Sequence, residues 1–208
     1  MYQSAYFKEE DRQVLLDFMR QHSFVVLTGC DEAGRPVAAQ IPLLVEEKEG
    51  KLFLYGHIQR KTDHHLCFVH NPQVLAIFNG PHAYISARWY TNQQNVSTWN
   101  YMTVHARGTL RFVDDAGLLD IVTRTTAHYE QDAASPSLVE KMPEEYVTRL
   151  MKAIIGFEIE VTQLDHVFKL SQNRDKISYQ QIIPRLREQG GDAALMADEM
   201  EKRIGKLF

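Results

Sequence analysis

None of the 208 residues falls in an apolar run approaching the roughly 20 residues that cross a bilayer. That excludes a helical membrane span. Two cysteines, Cys30 and Cys67, form no CxxC pair and are too few for a disulfide framework at this length. The nine histidines show neither HExxH nor a Cys/His finger spacing, so no metal is expected. A GxGxxG fingerprint is missing, and with it the βαβ unit that holds a dinucleotide pyrophosphate. Positive charge is not in excess: the net charge is −4, whereas broad capture of nucleic acid leaves a basic footprint. Ser86 and Ser171 have no GxSxG context, which leaves nucleophilic hydrolysis without support. Charged residues from Lys8 to Arg12 interrupt the start, so no signal peptide is read there. The expectation is a soluble, cytoplasmic protein, and 44% hydrophobic residues suffice for a full core.

What is present is concentrated in a few stretches. LFLYGHIQRKTDHHLCFVHNPQVLAIFNG (52–80) reads as a strand, a loop with adjacent cations at Arg60 and Lys61, a short helix, and a second strand. Two cations at the open end of a strand suit a phosphate-bearing ligand where no glycine-rich phosphate loop exists. As a dipeptide they would more often be solvated loop charges. Their place before a helix with Thr62 as N-cap shifts the balance, because a helix start offers N–H groups to an anion. HAYISARWY (82–90) and STWNYMTVHARG (97–108) then crowd aromatics, histidines and amide donors together. A flat heteroaromatic ligand with a phosphate tail would use all of these groups, and flavin mononucleotide (FMN) is the leading candidate. His57, Ser86, Trp99 and Asn100 join Arg60, Lys61 and Thr62 as candidate contacts. KLSQNR (169–174) adds a dense run of donors, which reads equally as a polar turn or as a ligand contact: Gln172 and Asn173 suit the carbonyl and imide edge of a flavin, and Lys169 or Arg174 suits negative charge near its N1–C2=O end. No catalytic residue is assigned. The aromatics around Trp99 also suit a subunit interface.

Periodicity predicts a helix over 11–22 and strands over 24–28, 37–45 and 51–55. Pro42 cannot donate to a ladder and implies an edge or a bulge. A short helix over 62–70 and a strand over 74–78 follow. Residues 98–113 alternate as one long strand, with Asn100, Met102, Val104, Ala106, Gly108 and Leu110 on one side. Further helices are expected over 114–130 and 143–155, and strands over 157–164 and 167–170 around a turn at Asp165–His166. The tail from 178 reads as helical, with a break at Gly190–Gly191. With no βαβ rhythm, the class is mainly β with peripheral helices, a largely antiparallel barrel. The expected organisation is a barrel domain over 1–175 and a helical extension over 176–208 packed on it.

MYQSAYF, GPHAYIS, TWNY, VHARG, GFEIE and KLSQNR occur in that order. Together they resemble the PaiB family of FMN-binding negative transcriptional regulators. The resemblance implies the FMN-binding split β-barrel of the pyridoxamine 5′-phosphate oxidase-like group, a homodimer, FMN as cofactor, and DNA as a partner. In that group a cationic loop after the third strand holds the FMN phosphate, and GHIQRK occupies that stretch here. No helix-turn-helix or basic recognition helix accompanies the resemblance. A flavin-dependent oxidoreductase acting on a small molecule is therefore the alternative.

Overall fold

Seven strands carry the architecture: β1 (Phe24–Cys30), β2 (Pro36–Pro42), β3 (Leu44–Lys48), β4 (Lys51–Gln59), β5 (Gln73–Ile85), β6 (Thr98–Phe112) and β7 (Ile154–Lys169). They form one sheet in the order β2-β1-β5-β6-β7-β4-β3. The pairs β1–β2, β1–β5, β3–β4 and β4–β7 are antiparallel. The helices are α1 (Arg12–Gln21), α2 (Asp63–His70), α3 (Asp115–Glu130), α4 (Glu144–Met151), α5 (Lys176–Gln189), α6 (Gly191–Glu201) and α7 (Ile204–Leu207). This computed structural model describes residues 1, 4–92 and 94–208. Tyr2 and Gln3 of the opening motif lie outside the described residues. The chain divides into two compact units.

One unit comprises Met19–Phe78 and His105–Leu164. Its sheet has to curl. Laid flat, seven strands would put β2 and β3 roughly 29 Å apart at about 4.8 Å per strand. Yet β2 ends at Pro42 and β3 begins at Leu44, so a single residue joins the two outermost strands. Leu43 is buried and donates its N–H to Ser23 O at 2.9 Å. A Cβ on Gly56 of β4 would sit 2.7 Å from Leu43 Cδ2 and 3.3 Å from Pro42 O. The seam therefore closes against β4, at a position that only glycine fits. Leu27, Leu54, Phe78, Phe157 and Ile159 fill the interior with almost no exposure. The antiparallel barrel class expected from the sequence is observed.

Three boundaries differ from the sequence reading. The strand expected over 37–45 breaks at Leu43, because Pro42, the last residue of β2, sits opposite Phe24 without an N–H to carry the ladder further. The helix expected to reach residue 155 stops at Met151. Ile154 and Ile155 pair instead with Gln59 and Ile58 of β4, where β-branched side chains pack better than in a helix. The turn expected at Asp165–His166 does not form, and β7 runs unbroken to Lys169.

The other unit comprises Met1–Phe18, Asn79–Val104 and Asp165–Phe208. Here α5 and α6 form a helical hairpin around Gly190, whose φ is +70°. Tyr179 of α5 is fully buried and donates to Met200 O at 2.9 Å. Burial pushes its phenol well above the usual range.

Candidate functional site

The cationic loop begins where β4 leaves the sheet. Arg60 donates its backbone N–H to Ala153 O at 2.9 Å, which pins the loop to the turn after α4. Lys61 takes a left-handed φ of +65°, and its N–H bonds His65 Nδ1 at 3.1 Å. Thr62 is the N-cap of α2, as its sequence position suggested. Its hydroxyl accepts from His65 N at 3.4 Å and donates to Gln59 O at 2.9 Å. Neither Arg60 nor Lys61 is ion-paired with any described residue. Two cations without carboxylate partners suit a phosphate dianion, while the Thr62 hydroxyl has already given its proton to Gln59 O.

The helix start itself offers less than the sequence suggested. His64 N is taken by Asp63 Oδ1 at 2.7 Å, and this bond holds the Asp63 carboxyl below the usual carboxylate range. His57 lies on β4 opposite Gly156. Burial lowers its imidazole pKa, so it is neutral at physiological pH.

Arg60 also faces a second feature that the sequence did not reveal. A cavity of about 810 Å³ opens between α3, the 139–144 segment and α4, with Arg60 and Lys152 among its lining groups. Lys61 is not among them. The signal was present in α4, whose apolar residues fall on one face although none of them is buried.

In the other unit the structure brings 86–100 and 169–175 together. Ser97 Oγ accepts from Ala87 N at 3.0 Å. Ser86 is buried, caps the turn at Ala87–Trp89, and accepts from Arg88 N at 3.4 Å. Lys169 donates its ammonium to Thr98 Oγ1. Burial, then the charge of Arg174, lowers its pKa. Asn100 has no exposure; its Nδ2 donates to Ser171 Oγ at 3.0 Å, and its Oδ1 accepts from the same hydroxyl at 3.1 Å. Gln172 folds back on its own turn, accepting from Leu170 N at 2.7 Å and donating to Phe168 O. Arg174 donates to Asn95 Oδ1 at 2.6 Å and lies 4.3 Å over the Tyr90 ring.

Within KLSQNR, Lys169 and Arg174 thus hold Thr98, Asn95 and Tyr90, and Ser171 and Gln172 are bonded inside the protein. The amides of Asn100 and Gln172 are committed to that scaffold. Asn173, by contrast, is exposed. Sequence order could not reveal this, because Thr98 and Lys169 are 71 positions apart.

Strand alternation turns Trp99 to the opposite face of β6 from Thr98 and Asn100. Its ring, 52% exposed, meets Tyr84 edge-on at 5.9 Å and His82 at 6.0 Å. Tyr84 is 48% exposed, so the three rings form an outward aromatic strip. Among the described residues no cluster of three potential ligands could hold a metal, and no helix is long and apolar enough to cross a membrane.

A seven-stranded antiparallel sheet, curled until its two outermost strands are joined through one residue, defines a barrel-type class of protein. The chain belongs to the FMN-binding family described as "Putative FMN-binding domain", whose family model matches residues 1–163, and FMN is its cofactor. It is 34% identical over 209 residues to "Protease synthase and sporulation protein PAI 2" of Bacillus subtilis strain 168, covering 99% of both chains. An uncharacterised protein of Emericella nidulans is 29% identical over 151 residues, 65% of this chain and 60% of that one. Two solved structures share the fold. A conserved protein from Mycobacterium tuberculosis has a TM-score of 0.57 at 13% identity, covering 81% of this chain and 91% of that one. A flavocytochrome from Azotobacter vinelandii has a TM-score of 0.53 at 14% identity, covering 77% and 68%.

Proposed function

We propose that this chain is an FMN-binding regulator of the PaiB type, working as a homodimer and acting on DNA. The observation that carries the reading is the 34% identity along 99% of both chains with the Bacillus protein. FMN, when bound, supplies one- and two-electron redox chemistry and a visible absorbance. Arg60 and Lys61 hold its phosphate. Their lack of carboxylate partners supports this assignment, since an unpaired cation gains most from a dianion. The strip of Trp99, Tyr84 and His82 packs against the partner subunit, because exposed contiguous aromatics are costly on a lone chain.

The DNA-contacting surface is not α6. α6 carries Asp192, Asp198, Glu199 and Glu201 with no basic residue in its last turn, which repels phosphates from that helix. The test is a gel shift with the DNA upstream of its own gene, run with and without FMN, beside an NAD(P)H oxidation assay. A specific, FMN-sensitive shift supports the regulator. Turnover of NAD(P)H without any shift overturns it in favour of the oxidoreductase.

A further inference from the structure

The cavity between α3 and α4 has a chemistry that FMN binding does not explain. Its walls include Leu119, Val139, Met142, Val147 and Met151, an apolar surface with adaptable methionines. Its volume of about 810 Å³ is within the range of about 300–1,000 Å³ typical of small-molecule sites. Five charged side chains also line it: Arg60, Lys152, Asp115, Glu140 and Glu144. Arg60 alone among them is half-buried; the other four are exposed and solvated. Asp115, Glu140 and Glu144 are screened by solvent, whereas a partly desolvated guanidinium without a carboxylate partner favours an anion, and Lys152 counts by its place next to that guanidinium. No described carboxylate pairs with it. Lys152 stands beside it, because Arg60 N bonds the carbonyl of Ala153, the next residue.

We propose that this cavity binds a second small ligand: an amphiphilic anion, with an apolar chain or ring along α3 and α4 and a carboxylate or similar group at Arg60 and Lys152. Where Arg60 also contacts the FMN phosphate, the two ligands compete for one guanidinium and bind antagonistically; that clause rests on the phosphate assignment above. By linkage, each then weakens the other by the same factor.

The experiment uses the full chain, without and with FMN, and 8-anilinonaphthalene-1-sulfonate as a fluorescent aryl anion. Decanoate and decan-1-ol serve as competitors. Saturable binding at one site per chain is expected, displaced by decanoate at least 10-fold better than by decan-1-ol. Val147→Trp, which fills the cavity, should weaken the anion at least 10-fold and leave FMN affinity unchanged, and Lys152→Glu, which reverses a charge beside Arg60, should weaken the anion at least 10-fold. Circular dichroism of both variants excludes unfolding, and a conservative Lys152→Arg should restore binding. Non-saturable fluorescence, equal competition by the alcohol, or unchanged binding in both variants overturns the proposal. So does parallel loss of FMN in Val147→Trp, which would make the cavity the flavin's own site. If Arg60→Ala/Lys61→Ala leaves FMN binding intact, the phosphate assignment fails while the cavity proposal stands.

Discussion

Arg60 and Lys61 set the sharpest expectation at the scale of single residues. Replacing both with Ala removes two charge-assisted contacts, each worth about 1.5–3 kcal/mol. FMN affinity should fall at least ~100-fold in a flavin titration, while riboflavin, which lacks the phosphate, changes far less. Equal loss of both would place the phosphate elsewhere. Glycines set a second expectation. A Cβ on Gly108 of β6 would lie 2.3 Å from Glu160 O of β7, a backbone atom that cannot rotate away. Gly108→Ala should therefore cost about 1–3 kcal/mol by overpacking. For a chain of this size the melting temperature would fall by about 2–4 °C per kcal/mol. Some residue roles were legible in the sequence and others were not. Thr62 could be read as a cap because capping is local, a matter of three positions. Asn100 looked like a ligand donor because its partner, Ser171, lies 71 positions away and is set by how the chain folds back, while Gln172 turns back on Phe168 O only because β7 ends there. A donor's chemistry is visible in sequence; whether it is already satisfied is not.

Among the elements, β7 and the segment before α1 show how tertiary pairing overrides local signals. Asp165–His166 has turn chemistry, yet the strand passes straight through it. His166 Nε2 accepts from Glu9 N at 2.8 Å, and Lys8 Nζ donates to His166 O at 3.4 Å. Arg203 in turn lies 3.7 Å from the Glu9 carboxylate and over the Phe168 ring. An accepting Nε2 must be unprotonated, and burial, then the charge of Lys8, lowers the His166 pKa. His57 and His65 are lowered as well, chiefly by burial. The unfolded chain therefore binds more protons than the folded one just below the ordinary histidine pKa of about 6.5. The stability these histidines contribute is full above about 6.5 and falls as the pH drops toward their folded-state values. Urea midpoints should accordingly be lower at pH 5.5 than at pH 7.5, and His166→Gln should narrow that gap. An unchanged gap in the variant would remove His166 from the account. The long alternation of β6 was legible because period two persists over 15 residues. The end of α4 was not, because Ile154 and Ile155 are decided by their partners on β4.

For the whole molecule, the class and the cofactor were readable from the ordered motifs, while the division into two units was not. Each unit is assembled from separate stretches of chain, and no linker composition marks their borders. The homodimer is the expectation to check first at this scale. Sedimentation should give a mass of two chains at micromolar concentration, and Trp99→Glu should shift it toward one; a wild-type monomer would refute the role given to the aromatic strip. FMN should also bind more tightly than FAD, since no dinucleotide fingerprint is present, and FAD binding as tight as FMN would contradict that reading. The one-residue join at Leu43 has a consequence in time. β1 can pair with β2, and β3 with β4, as soon as they leave the ribosome, because those pairings are between neighbours in sequence, and the join keeps the two hairpins together. β4's other edge is different: Gln59 pairs with Ile154, about 95 residues later in synthesis. At roughly 5–20 residues per second, that edge waits roughly 5–20 s for its strand. Throughout that interval the nascent chain presents an unpaired rim to every neighbour it meets.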